Sequence, residues 1–350
     1  MIPREVPADG HWHSADLVDD PKGRGDGRIK LFPDGEGGIV ANWKSGDPLP
    51  FWCDDGSRQT PAERSARDAK RKAAIAEHEA EQRKRRAEAA AKAAALIAAA
   101  DPAGADHPYL VRKGVAPVES LLELPVDAVA EVLGYRPKSG GDPLAGRILV
   151  APVMLEGTPS SVELIDEVGR KSALAGGAKA AGFWPAQAMP EGDGEGLNLL
   201  IGEGVATVLS ACAATGHAGV AALSCGNLKS VALALWAAYP RAELVVLADL
   251  GNGQAKAEEA AQAAGAALAL PLFDGAAPEG SSDFNDMVAV AGADTVARVI
   301  AAAVLARPSI AVVAARESAP RPLPCDLLPV DPFPLGALPE SFRPWVADVS

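Results

Sequence analysis

The sequence predicts an α/β fold: a mostly parallel four-stranded sheet flanked by helices, preceded by a small β-rich module and a long helix. Three observations carry that expectation. Between 196 and 306, four apolar runs of strand length alternate with helical segments of about 10–14 residues, and strands alternating with helices call for a parallel sheet covered on both faces. Ahead of them, 61–100 consists largely of Ala, Glu, Lys and Arg with no Gly and no Pro after Pro61, a strongly helix-forming composition. Within 1–60, short alternating stretches are separated by turn residues.

Taken in order, residues 1–60 hold Trp12, Trp43 and Trp52 around G-R-I-K-L-F (27–32) and G-G-I-V-A-N-W (37–43), joined by P-D-G-E, which reads as a hairpin module. The 61–100 helix carries ten basic residues against six acidic ones between Glu63 and Lys92. It is either a solvated connector or a basic rod lying along nucleic acid. Residues 101–195 form an α+β region that opens on H-P-Y-L-V-R-K-G-V (107–115). Strands at 147–155 and 161–166 then pair as an antiparallel hairpin. The following G-R-K-S-A-L-A-G-G-A-K-A-A-G-F-W (169–184) mixes Gly with Arg170, Lys171 and Lys179, and is either a phosphate-holding loop or a second hairpin.

In 196–306, strands are expected at 197–203, 218–224, 243–249 and 267–273. Helices are expected at 205–216, from Asn227 to Pro240, at 254–264, and near Asp283 and Asp294. The remainder, 307–350, is Pro-rich and reads as a linker leading to a further domain.

The composition excludes several classes. The 350 residues are 48% hydrophobic and 23% charged, a globular balance, and the net charge of −13 argues against indiscriminate nucleic-acid binding while permitting local basic patches. No uncharged apolar run reaches the roughly 18 residues of a membrane span, and no secretory leader is visible, so a cytoplasmic location without membrane contact is expected. Cys53, Cys212, Cys225 and Cys325 form no C-x-x-C pair, which disfavours a zinc ribbon or disulfide framework. No G-x-x-x-x-G-K-[ST] occurs, and G-E-G-V-A-T (202–207) departs from G-x-G-x-x-G at Thr207.

The chemistry gathers at strand ends. The first strand of the parallel sheet ends in Glu203, the third in Asp249, and S-S-D-F-N-D after the fourth brings Asp283, Asn285 and Asp286. Ligands of open α/β sheets sit at those carboxyl ends, and carboxylates collected there repel one another unless a hard cation such as Mg²⁺ neutralises them. Taken singly, an Asp at a strand end also serves as a helix N-cap, a role that suits Asp283.

The order of I-G-E-G-V-A-T (201–207), L-A-D-L-G-N-G (247–253) and S-D-F-N-D (282–286) on alternating strands and helices resembles the Toprim domain of bacterial-type primases and topoisomerases. Trp43, the helix after Pro61, H-P-Y-L-V-R-K-G and the 147–166 strand pair extend the resemblance to the N-terminal half of phage and plasmid primase-helicases. The F-P-L-G-A-L-P-E-S-F-R-P-W-V tail resembles the lead-in to their helicase-like domain. The resemblance implies nucleotidyl transfer making short RNA primers on single-stranded DNA from ribonucleoside triphosphates, with Mg²⁺ or Mn²⁺ and a helicase domain or partner. Glu203 would be the acid/base or metal-adjacent carboxylate and Asp249 a metal ligand. Gly251 stands where the D-x-D-x-x-G pattern has its second aspartate, so Asp283 or Asp286 would have to supply that ligand. Arg112, Lys113 and Lys171 are candidates for template or triphosphate contact, with surface solubility as the plainer reading. Two alternatives remain open: a catalytically degenerate Toprim module that binds DNA or docks a helicase, and a Toprim nuclease.

Overall fold

The computed structural model describes residues 6–16, 26–33, 35, 37–42, 49–52, 61–251, 253–273 and 278–305. Trp43, Cys53, Cys325, the 307–350 linker, and the side chains of Arg64, Arg67, Lys70 and Arg71 lie outside them. Among the described residues no helix is long and apolar enough to cross a membrane.

The N-terminal module is a four-stranded antiparallel sheet of β1 (His13–Ala15), β2 (Gly27–Leu31), β3 (Gly37–Asn42) and β4 (Leu49–Trp52), in that order. The expected hairpin is its β2–β3 pair, with Ile29 opposite Val40. Helix α1 (Pro61–Ala99) follows, without interruption. Its later part buries Ala89, Ala93 and Leu96, spaced four and three residues apart so that they share one face.

Five strands then form an antiparallel sheet in the order β11-β10-β9-β6-β5. They are β5 (Asp101–Pro102), β6 (Leu122–Pro125), β9 (Arg147–Leu155), β10 (Thr158–Ile165) and β11 (Lys171–Ala173), with α2 (Pro108–Lys113), α3 (Val126–Leu133) and the small hairpin β7 (Lys138–Ser139), β8 (Asp142–Pro143) in the connections. Side chains alternate across the sheet. Ile148, Val150, Val162 and Leu164 pack on α1 and α3, while Leu149, Ala151 and Ile165 face the C-terminal domain. Both faces being covered explains the nearly unbroken apolar run of β9, where alternation would mark one wet face. Lys171–Ala173 pairs antiparallel with Glu163–Ile165, so the Gly-rich segment begins as a third strand and continues as a loop.

The second sheet has the order β12-β14-β13-β15-β16-β17. Its four central strands, β13 (Asn198–Gly202), β14 (Ala218–Ala221), β15 (Glu243–Leu247) and β16 (Ala267–Ala269), are the parallel core read from sequence. Two further strands, β12 (Trp184–Pro185) and β17 (Val304–Leu305), close its edges antiparallel and make the sheet six-stranded. Two-residue strands carry no detectable period, which is why the sequence does not announce them.

Helices α5 (Leu228–Ala238) and α6 (Gln254–Ala264) cover the face of Leu199, Ile201 and Val246. Helix α4 (Val205–Thr215), α7 (Phe284–Ala291) and α8 (Ala293–Ala301) cover the other. Residues Val205 to Ala211 are all buried because α4 lies between the two sheets. The close approach requires Gly202, where a Cβ would sit 2.8 Å from Val208 Cγ2.

Candidate functional site: an acidic cleft faced by lysines

The carboxyl ends of β13 and β15 place Glu203 and Asp249 side by side in the sheet, and the loop into α7 adds Asp283 and Asp286. Asp249 is partly buried and its Oδ1 has no hydrogen-bond partner among the described residues. Burial, then the negative charges of Asp283 and Glu203, push its carboxyl up to about 7, against the pull of Lys171. Glu203 is raised too, mainly by burial; Lys171 and the Cys225 N–H, which donates to it, oppose the rise. Both groups would shed this penalty on meeting a cation.

The two later aspartates are already engaged. Asp283 is the N-cap of α7: Oδ1 accepts from the Asp286 N–H at 2.8 Å, and Oδ2 accepts from the Thr207 hydroxyl at 3.0 Å. Asp286 returns the favour, its Oδ2 accepting from the Ser282 N–H at 2.9 Å, while its Oδ1 lies 3.7 Å from Lys113 Nζ. Asp283 is therefore a helix cap whose charge also acts on Asp249.

The donor set suits a hard divalent ion. An orphaned carboxylate oxygen, a second raised carboxylate, and Gly253, where a Cβ would come 3.5 Å from Glu203 Oε2 and 3.2 Å from Asp249, leave room that a side chain would fill. Among the described residues no three His, Cys, Asp or Glu side chains close up as a ready cage. Mg²⁺ commonly takes one or two carboxylates and fills its octahedron with water and substrate phosphate, so this is a compatible arrangement.

The cations expected from sequence divide. Lys171 reaches the cleft: its Nζ is 4.0 Å from Glu163 Oε1, and its charge acts on both Asp249 and Glu203. Lys113 borders the cleft through Asp286, and its carbonyl accepts from the buried Asn285 Nδ2 at 2.7 Å, tying α2 to α7. Arg112 is turned to structural use, donating to the Glu167 carbonyl at 2.8 Å and lying 5.5 Å over the Tyr109 ring. The H-P-Y-L stretch is an anchor: buried His107 caps α2 by accepting from the Tyr109 N–H, and its Nε2 meets the Arg147 carbonyl at 3.1 Å.

Several contributors were not legible. Buried Glu163 holds Lys179 at 2.9 Å as well as Lys171, making one carboxylate the mount for two cations. Asn227 is a hub: Oδ1 accepts from Ala181 N–H at 2.9 Å, and Nδ2 donates to the carbonyls of Lys179, Gly182 and Ala222 at 2.8–3.0 Å. It fastens the lysine loop to the segment whose Cys225 N–H serves Glu203. Ala181 and Leu223, at φ 61° and 63°, are strained non-glycine residues flanking this hub. The strand alternation around Glu163 was the one available signal; Asn227 offered only its helix-start chemistry.

Residues 198–294 match the Toprim domain family. Two proteins named DNA primase TraC from Escherichia coli are 29% identical over 277 residues and 28% over 281. Each match takes in 76% of this chain but only 18% and 24% of the relative, so the chain spans about a fifth of the length of the curated relatives it matches. The primase fragment of the bacteriophage T7 primase-helicase is 13% identical, covering 82% of this chain and 99% of that one, with a TM-score of 0.36. The Aquifex aeolicus primase, solved as its zinc-binding and RNA polymerase domains, is 13% identical over 86% and 80%, with a TM-score of 0.41. Residues 198–294 are accordingly a Toprim domain, set in an α/β fold, and the chain is similar in sequence to part of these DNA primases.

Proposed function

We propose that this chain makes short RNA primers on single-stranded DNA, as a cytoplasmic replication protein of a mobile element acting with a helicase domain or partner. The observation that carries the reading is the unpartnered carboxylate of Asp249 set beside Glu203 and under Lys171. Asp249 would hold Mg²⁺ or Mn²⁺, with Glu203 beside the ion and Asp283 as the further carboxylate whose charge acts most on Asp249. When bound, the ion supplies charge neutralisation at the transferring phosphate. Lys171 and Lys179, fixed by Glu163, receive the triphosphate. The primer 3′-oxygen attacks the α-phosphorus, its proton passes to the Glu203 carboxylate, and the bond to pyrophosphate breaks. Thr207 and the Asp286 N–H hold Asp283 still while charge moves.

A second reading, a degenerate module that binds DNA or docks a helicase, is favoured by Gly251 in place of the second aspartate. Incorporation of labelled ribonucleotides on a single-stranded template, with Mg²⁺ and with Mn²⁺, separates the two. Primer synthesis by wild type and its loss by at least a hundredfold in Glu203→Gln, with the fold intact by circular dichroism, supports the first. A wild type that binds template yet incorporates nothing supports the second, and shortening of the template would reassign the carboxylates to nuclease chemistry.

A further inference from the structure

Strand β11 is the edge of the antiparallel sheet, and the chain that follows it goes round that edge. Leu174 packs in the core shared with Ala89 and Ala93 of α1. Gly176 rests on α1 itself, where a Cβ would lie 3.4 Å from the Arg85 carbonyl oxygen. Lys179 is on the other face, its Nζ 2.9 Å from Glu163. Three residues of chain span at most about 10 Å, so the acidic cleft and the Arg83-Lys84-Arg85-Arg86 run of α1 are close neighbours joined by one short loop.

The charges along this rim are uneven. Arg83 and Arg85 are exposed and pair with Glu79 and Glu81 one turn away. Lys84 and Arg86 are exposed and have no hydrogen bond or ion pair with a described residue. Lys138, exposed on β7 beside β11, is in the same condition. Buried Glu163 and exposed Glu79 and Glu81 are already ion-paired, which leaves Glu88 and Asp142 as exposed acids nearby without an ion pair to a described residue. In a chain of net charge −13 this is a local excess of cations, and it begins at the cleft. Four successive helical residues point round the helix at about 100° intervals, a distribution that suits a flexible strand bending over a helix better than a rigid planar partner.

We propose that the rim running from Lys179 over the β11 edge to Lys84 and Arg86 binds the sugar-phosphate backbone of single-stranded DNA, the template strand on its way to the acidic cleft. The inference rests on the reading of that cleft as a template-directed site, but it is tested by binding alone.

The experiment uses the full chain, without nucleotides or divalent ions, and compares wild type with Lys84→Gln/Arg86→Gln. Gln is a good helix former at exposed positions, so α1 persists. Fluorescence anisotropy with oligo-dT of about 4 and about 16 nucleotides, lengths that bracket ordinary single-strand sites, is followed against salt. Wild type should bind the longer strand more tightly. The variant should lose that advantage, with a salt slope shallower by about 1.4, at about 0.7 for each lost phosphate contact. An unchanged slope and unchanged affinity for the longer strand overturn the proposal. If wild type binds and the variant behaves as expected while neither makes primers, the reading of the cleft fails and the rim stands. If wild type makes primers and the variant keeps its salt slope, the rim alone fails.

Discussion

Replacing Asp249 by Asn tests whether its carboxylate is held at a cost that a cation relieves. The folded carboxyl keeps its proton up to about pH 7, against an ordinary value of 3.8. Between those values the folded chain binds more protons than the unfolded one. The contribution of this group is therefore most favourable below pH 3.8, falls as pH rises to about 7, and stays low above. The interval is about three on the pH scale, or about 4 kcal/mol at 1.36 each, and about two thirds of it lies above pH 5. Asp249 is only partly buried, so screening reduces the expected effect between pH 5 and pH 8 to about 1.5 kcal/mol. Urea unfolding with a chelator present should show Asp249→Asn gaining that much on wild type over this range. Mg²⁺ at ten times its dissociation constant should then stabilise wild type by about 1.4 kcal/mol and leave the variant unmoved. A variant that gains nothing between pH 5 and pH 8, or that responds to Mg²⁺ like wild type, refutes the account of Asp249 as an unpaired, ion-seeking carboxylate.

Two other substitutions probe the mounts of the site. Asn227→Ala removes four hydrogen bonds and leaves buried carbonyls unpaired, so urea denaturation should show a loss of about 3 kcal/mol; a loss below about 0.5 kcal/mol would mean the lysine loop is held elsewhere. Gly253 has ordinary helical angles, so Gly253→Ala should fold, but its methyl would press on Asp249 at 3.2 Å and approach Glu203 Oε2 at 3.5 Å. Thermal shift with rising Mg²⁺ should therefore be smaller than in wild type, and an equal shift would place the ion away from these two carboxylates.

What the sequence could show followed from periodicity. Each central strand of the parallel sheet is a short apolar run between helices with Gly or Pro stops, so β13 to β16 and the placing of Glu203 and Asp249 at strand ends were readable. Cross-domain pairing was not. Nothing local says that Asn285 donates to the Lys113 carbonyl 172 residues away, or that Thr207, met in sequence as a departure from a glycine pattern, donates to Asp283. Arg112 and Lys171 look alike as cations near glycines, yet one lies on Tyr109 and the other faces the cleft. That difference is set by tertiary packing: Arg112 meets the Glu167 carbonyl, whereas Lys171 meets Glu163. For the same reason the sequence does not choose between connector and nucleic-acid rod for the basic helix: its charges are local, but the contact of Gly176 with Arg85 is not.

Gly251 shows where a motif comparison and a structure part company. In sequence it is the missing second aspartate, and restoring that residue looks like a repair. In the structure its φ is +83°, in the left-handed region that favours glycine, and a Cβ there would meet no atom of the described residues within 4 Å. The position serves the turn between β15 and α6, and an added carboxylate would start from open space with strained backbone beneath it. The carboxylate that acts most strongly on Asp249 is instead Asp283, from another segment, held by Thr207 and by the first turn of α7. Gly251→Asp should therefore cost about 1 kcal/mol of stability and bring no rise in ribonucleotide incorporation, whereas Thr207→Ala, which frees one oxygen of Asp283, should change the metal dependence of incorporation. A gain of activity in Gly251→Asp would show that the loop rearranges to bring position 251 into the cleft, and that Asp283 does not stand in for it.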